Sequence, residues 1–394
     1  MNRPSIVKAG PPTHKLDAVP LLDLHRQYET IREEVLAAVE RVCASQHFVL
    51  GKEVESLENE IAAFTGATAA VGCASGTDAL WLALVAAGVQ PGDAVITSTF
   101  SFFASASAIV RAGARPILVD VNPHTLNIDV GKVEAIFKQK RDYKIRAILP
   151  VHLFGQCADM DSLWRIANQF KTPIIEDAAQ AIGASWRNRQ AGSLGTAAAF
   201  SFYPTKNLSA YGDAGLVTTL DPAMAEHMRR LRNHGSPRRY LHEEMGWNSR
   251  LDAIQAAILR VKLPHIKQWN GLRRQRAANY DRLLANAGLV SKDNSPIRLL
   301  ETSPHAEHVF HQYVIRAKRR DDLRKFLTER KIGTEIYYPI PLHLQPCFTY
   351  LGYLEGDLPE SEQAAREVLA LPMFPELRDD EQKWVVQSIA EFYS

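Results

Sequence analysis

Cysteine is scarce: Cys43, Cys73, Cys157 and Cys347 are the only four in 394 residues, and they lie far apart. No C-x-x-C pair and no metal-ligand spacing joins them, which reads as reduced thiols rather than a disulfide or metal framework. An excess of one charge is also missing. Lys plus Arg number 46 against 44 Asp plus Glu, a formal net charge of +2. The broad basic footprint of a nucleic-acid binder is therefore absent. Long apolar runs are lacking as well: the most apolar stretch, 79–89, falls well short of the about 20 residues that span a bilayer. Met1–Lys15 holds charges and three prolines but no apolar run of a secretory signal. These absences lead us to expect a soluble cytoplasmic protein with no membrane or nucleic-acid partner. Three common signatures are absent too. There is no G-x-x-x-x-G-K-[ST], no G-x-G-x-x-G after the first expected strand and no G-x-S-x-G elbow, so P-loop, dinucleotide and serine-hydrolase chemistry lack their key element.

What is present is the composition of an ordinary globule, 46% hydrophobic and 23% charged. Residues 1–18 read as a loose tail. Apolar residues then recur at helical spacing, at Ile31, Val35, Val39 and Val42 and again at Val54, Leu57, Ile61 and Phe64. Short apolar runs follow at 69–73, 94–97, 116–121, 146–151 and 173–176, with helix-like segments at 77–87, 103–112, 130–138 and 160–170. Strands alternating with helices of this length imply crossovers and a mostly parallel sheet, an α/β fold. The runs 198–203 and 215–219 are too close for a helix between them and suggest a hairpin relation, hence a mixed sheet. From Arg250 the pattern changes, with a long polar helix at 263–287 and a smaller α+β unit. That unit carries strands at 309–316 and 333–338 and helices at 321–330, 361–369 and 379–390. The expected division is a large domain over 19–262 and a small one over 263–394.

In such sheets ligands bind beyond the carboxyl ends of the strands. Ala74-Ser75-Gly76-Thr77-Asp78 follows the first strand and opens a helix, whose free N–H groups suit a phosphate; a plain helix cap is the alternative. Glu176-Asp177-Ala178-Ala179-Gln180 places two acids at another strand end, as functional groups or as solvated carboxylates of a turn. Lys206 follows the run Phe200-Ser201-Phe202-Tyr203-Pro204-Thr205, and an apolar setting can lower a lysine's pKa and make it a nucleophile. A phosphate anchor, a carboxylate and an amine in that order are what pyridoxal phosphate needs. His308 and His311 lie in a strand-like run that would point them to opposite faces. The arginines 229, 230, 232, 238 and 239 read as a solvated face or a subunit contact.

These segments, together with Asn248-Ser249-Arg250-Leu251-Asp252, resemble the DegT/StrS-type nucleotide-sugar aminotransferases, over about 21–393. The resemblance implies a fold-type I enzyme, dimeric, using pyridoxal 5'-phosphate. It assigns Lys206 as the amine that joins the cofactor and then carries the proton, and Asp177 as the partner of the ring nitrogen. Gln180 would lie near the ring's 3-oxygen, and Phe102 would stack on the ring, with Phe100 and Phe103 as neighbours in register. Gly76, Thr77 and Ser201 would hold the phosphate, joined by Asn248 from a second subunit. Phe48, Arg250, Tyr337 and Tyr338 would line the sugar-nucleotide pocket; many relatives carry His at the position of Tyr337. The implied reaction moves an amino group from L-glutamate to a 3-keto nucleotide sugar, UDP- or dTDP-linked. C4-keto sugars, keto-cyclitols and a non-catalytic cofactor-binding regulator are the alternatives.

Overall fold

The computed structural model describes residues 18–140, 142–290 and 295–394. The tail expected over 1–18 lies outside them, apart from Ala18. Two helices open the chain. α1 (Leu24–Ser45) is capped by Asp23, whose carboxylate accepts the His25 N–H at 3.0 Å. α2 (Lys52–Thr65) ends at Gly66, which takes the left-handed conformation with φ 73°. The alternation follows: β1 (Ala69–Cys73), α3 (Gly76–Ala86), β2 (Ala94–Ser98), α4 (Ala104–Arg111), β3 (Arg115–Val119), α5 (Val130–Lys138), β4 (Ile145–Leu149), α6 (Met160–Phe170) and β5 (Ile175–Asp177). β6 (Ala197–Ser201) and β7 (Gly215–Thr219) come next, then α7 (Pro222–Leu231) and α8 (Ala253–Lys262).

β1, β7, β6 and β5 form one run of neighbours and β4, β2 and β3 another. A parallel bridge between Ile148 and Ile174 joins β4 to β5, so seven strands lie in one sheet. β7 is antiparallel to both neighbours, as the short spacing from β6 requires, and the remaining pairs are parallel. Side chains alternate along these strands because the period is two. Ala197 and Ala199 join one core with α3, α4 and α7 residues such as Leu80, Ile109 and Met228. Ala198 and Phe200 join the other with Leu57, Leu163, Ile258 and Ile266. Both faces of the sheet are thus covered, and each large aliphatic side chain buried there contributes about 1.5–3 kcal/mol.

α9 (Ile266–Asn286) leads into the C-terminal part, where β8 (Ile297–Leu299), β9 (Tyr313–Ala317) and β10 (Val368–Leu371) form an antiparallel sheet. Tyr280, Leu284 and Leu323 pack on it with Val385 and Ile389, from α10 (Arg320–Glu329) and α12 (Asp379–Tyr393). Val19 is buried in the same cluster and bridges Ile332. Three expectations fail here. The strand expected over 333–338 is a single bridge from Glu335 to Ala370, and the Ile336, Tyr337 and Tyr338 side chains beyond it pack in the cluster of Phe100, Val151 and Phe154. The helix expected over 361–369 stops at Glu367 as α11 (Pro359–Glu367), since Val368–Leu371 is buried at every residue and pairs with β9. The strand expected from 309 begins only at Tyr313. Val309 N donates instead to Gly155 O at 3.0 Å. His308 and His311 therefore do not alternate across a strand; both are buried in the connecting loop.

Among the described residues no helix is long and apolar enough to cross a membrane, and no group of His, Cys, Asp or Glu could hold a metal ion.

Candidate active site

The sheet's register brings three strand ends together. Cys73 at the end of β1 and Ser201 at the end of β6 both pair with Gly215 at the start of β7. The approach is close: a Cβ on Gly215 would sit 2.2 Å from Ser75 O, and one on Gly76 would sit 2.6 Å from Ser201 Cβ. Only glycine fits at either place. Ser75 caps α3 by accepting the Asp78 N–H at 3.1 Å. The N–H groups of Gly76 and Thr77 remain without intrahelical acceptors, at the positive end of the helix and beside the Ser201 hydroxyl. The arrangement suits a phosphate.

Asp177 ends β5 and is buried. Its Oδ2 accepts from Ser105 Oγ at 2.6 Å and its Oδ1 from Ala179 N at 3.2 Å. Burial raises its pKa, while Ser105, the Ala179 amide and the charge of Lys206 pull the other way. Lys206 sits in the turn after β6, its N–H bonded to Tyr203 O at 2.8 Å. Desolvation lowers its amine to about 8, against the opposing pull of Asp177. Among the described residues Lys206 Nζ has no hydrogen-bond or ion-pair partner. A desolvated amine with nothing to hold it, an anion nearby and a phosphate cradle at one side fit pyridoxal phosphate at its three functional positions.

Gln180 Oε1 accepts the Phe154 N–H at 2.6 Å, and its Nε2 donates to the Tyr338 hydroxyl at 3.0 Å. Tyr338 packs edge-on to Phe100 and lies 6.4 Å from the Phe102 ring. Phe100 is fully buried, whereas Phe102 is 57% exposed. Of the three candidate aromatics, Phe102 has a free face beside Tyr338, and Phe103 stacks on Phe348 instead. Tyr337 is half-buried next to Tyr338.

A second group stands apart. Phe48 O accepts the Ala253 N–H at 2.9 Å, Arg250 donates to Asn233 Oδ1 at 3.3 Å, and Asn248 is exposed in a bridge to Asn233. No hydrogen bond or ring contact among the described residues joins Phe48, Asn248 or Arg250 to the Lys206 group. Asn248 and Arg250 follow a segment that exposes Tyr240 (84%), Met245 (82%) and Trp247 (51%).

Some residues were misread or missed in the sequence. Glu176 is no solvated turn carboxylate: it is fully buried, accepts the N–H groups of Gly192, Leu194 and Gly195, and bonds His152 Nε2 at 2.9 Å. Arg232 does not belong to a solvated face, because it is buried against Glu58 and donates to Gly72 O at 2.6 Å. Ser105, in the first turn of α4, carries no signal in the sequence that points to Asp177. His311 was left without a role; its Nδ1 meets Asn207 Oδ1 at 3.2 Å, and desolvation, with the charges of Lys206 and Arg273, lowers its pKa.

The sequence profile of the DegT/DnrJ/EryC1/StrS aminotransferase family matches residues 29–390. The chain belongs to that family. Among characterised relatives it is 52% identical to a protein of Geobacillus stearothermophilus named pleiotropic regulatory protein, over 95% of this chain and 98% of the other. It is 44% identical to the dTDP-3-amino-3,4,6-trideoxy-alpha-D-glucose transaminase of Streptomyces venezuelae, over 95% and 96%. The crystal structure of S. venezuelae DesV in complex with a ketimine intermediate superposes with a TM-score of 0.90 at 44% identity, over 95% of this chain and 98% of that one. This family member therefore has the fold-type I frame expected from its sequence, and it is an aminotransferase by family.

Proposed function

We propose that the chain is a pyridoxal-phosphate-dependent aminotransferase that moves an amino group from L-glutamate to C3 of a 3-keto nucleotide sugar linked to dTDP or UDP. The observation that carries the reading is the unpartnered Lys206 amine beside Asp177 and the Gly76–Ser201 cradle. The 44% identity to a 3-amino-sugar transaminase supports the acceptor class. When bound, the cofactor supplies an electron sink and carries the amino group between the two substrates.

The residues divide the work as follows. Gly76, Thr77 and Ser201 would hold the phosphate through peptide N–H groups and a hydroxyl. Asp177 keeps the ring nitrogen protonated, an electrostatic aid aimed at charge that develops during reaction. Phe102 would cover one face of the ring, and Gln180, held by Phe154 N and Tyr338 Oη, would lie near its 3-oxygen. Lys206, drawn to about 8, gives up and takes back a proton near neutral pH, as a general acid–base must. Tyr337 and Tyr338 border the space above Phe102 where the sugar would enter.

Asn248, Arg250 and Phe48 would complete the site of a second copy in a homodimer. Their separation from Lys206 within one chain and the exposed apolar segment that precedes Asn248 support that arrangement. Purified protein loaded with cofactor and given L-glutamate should release 2-oxoglutarate and lose its visible absorbance. Subsequent addition of a 3-keto dTDP- or UDP-sugar should restore the absorbance and yield the amino sugar. Acceptance only of 4-keto sugars or keto-cyclitols would replace the acceptor assignment. The name of the Geobacillus relative favours a second reading, a regulator that holds the cofactor without turnover. An absorbance unchanged by glutamate would select it.

A further inference from the structure

The segment that carries Phe102 also carries two buried hydroxyls with no task in the reading above. Ser101 is 4% exposed and Ser105 fully buried. Their oxygens lie 2.8 Å apart, and Ser105 Oγ lies 2.6 Å from Asp177 Oδ2. Ser101 precedes α4, and the tight turn in which Ser105 N donates to Phe102 O at 3.2 Å lets the two hydroxyls meet. The direction of the chain follows from the inventory of donors. An ionised carboxylate only accepts, so Ser105 gives its proton to Asp177, and its own lone pairs are left for the Ser101 hydroxyl. The protons point from Ser101 to Ser105 to Asp177.

This makes the two oxygens of Asp177 unequal. Oδ2 takes a short hydroxyl bond, whereas Oδ1 takes one amide at 3.2 Å and keeps capacity for another donor. A hydroxyl bonded to a carboxylate is charge-assisted and favours the anion, against the push of burial toward the neutral acid. The hydroxyl pair belongs to the same turn as the stacking Phe102. One segment, 101–105, thus reaches both the ring face and the ring nitrogen's partner. Resting on the cofactor reading, we propose that Ser105, backed by Ser101, is a positioning residue. It holds Asp177 ionised and turned so that Oδ1 meets the ring nitrogen of pyridoxal phosphate.

The test is a titration of cofactor-free protein with pyridoxal phosphate, followed by protein fluorescence between about pH 6 and 8. The parent sets the reference profile, in which the Lys206 amine also titrates toward its folded value of about 8. Ser105→Ala removes a donor that favours the Asp177 anion, so its affinity should fall on acidification more steeply than the parent's, by about tenfold over the range. Ser105→Thr, which keeps the hydroxyl, should restore the parent profile. Ser101→Ala should move it the same way by less, and it serves as the working variant if Ser105→Ala does not fold. Turnover of Ser105→Ala should fall in kcat, with KM for glutamate within about twofold. A loss of affinity equal at all pH values and not rescued by threonine would mean packing alone and overturn the proposal. So would parent-like binding by Ser105→Ala. A parent protein that takes up no pyridoxal phosphate would instead overturn the cofactor reading itself.

Discussion

Lys206 and Lys262 make an instructive pair. Protein surrounds both, and desolvation draws both amines down to about 8. Lys262, at the end of α8, spends its donors on Ser209 O at 2.8 Å and Ser209 Oγ at 3.0 Å, over the Tyr211 ring at 4.4 Å. It ties α8 to the turn that follows Lys206. Lys206 has no such partners, only the field of Asp177. A lowered pKa therefore marks a dry amine and nothing more; what separates an anchor from a reactive group is whether the amine is already bonded.

The largest effect should come from the mutation that breaks the contrast directly. Lys206→Ala is expected to lower turnover by about 10⁴-fold and abolish the visible absorbance of bound cofactor, while Lys262→Met leaves kcat within about threefold. Steady-state kinetics and absorption spectra of the two variants measure this, and equal losses would break the comparison. Next comes the anion that distinguishes the Lys206 environment. Asp177→Ala should cost about 10²–10³-fold in kcat with cofactor still bound. Near-parent rates would remove Asp177 from the chemistry.

Mixing sharpens the comparison at the level of the dimer. Lys206→Ala and Asn248→Ala chains, each inactive alone, should recover about a quarter of parental activity after exchange, since half the dimers would be hybrids with one intact site of two. No recovery in an assay of exchanged chains would argue against a shared site.

The smallest effect is a pH dependence of stability. Lys262 has a folded pKa of about 8 against an ordinary value of 10.5, so the unfolded chain binds more protons between these limits. Stability of the cofactor-free protein then rises with pH through that window, with about 3 kcal/mol from this residue. Denaturant unfolding of Lys262→Met across the same range should show a shallower rise. An unchanged slope would mean that the amine stays charged when folded.

Glu176 and Asp177 show where legibility stopped. Both acids stood out in the sequence because they end a short apolar run, and position 177 was singled out through family resemblance. Adjacent residues of a strand point to opposite sides, so one of the two had to face away from the ligand. Glu176 faces a loop of amide N–H groups at Gly192, Leu194 and Gly195 and the ring of His152. Nothing local could announce those partners, which arrive from up to 24 residues away along the chain. The Ser105–Asp177 bond closes over 72 residues. By contrast, Lys206, Gly76 and the helices flanking the sheet were readable, since each depends on its own neighbours: a strand before it, a helix start or a periodic stripe.

The order of strands and helices in the large sheet, the antiparallel relation of β6 and β7, and the order of Gly76, Asp177 and Lys206 along the chain were determined by the amino-acid sequence alone. Periodicity and short connections are local properties, and local properties survive without a fold. The tertiary structure alone decided what Glu176 binds, which lysine stays unbonded, and which hydroxyl bonds Asp177. Those choices depend on burial and hydrogen bonding between segments distant in sequence, and such terms exist only once the sheet has brought its strand ends together.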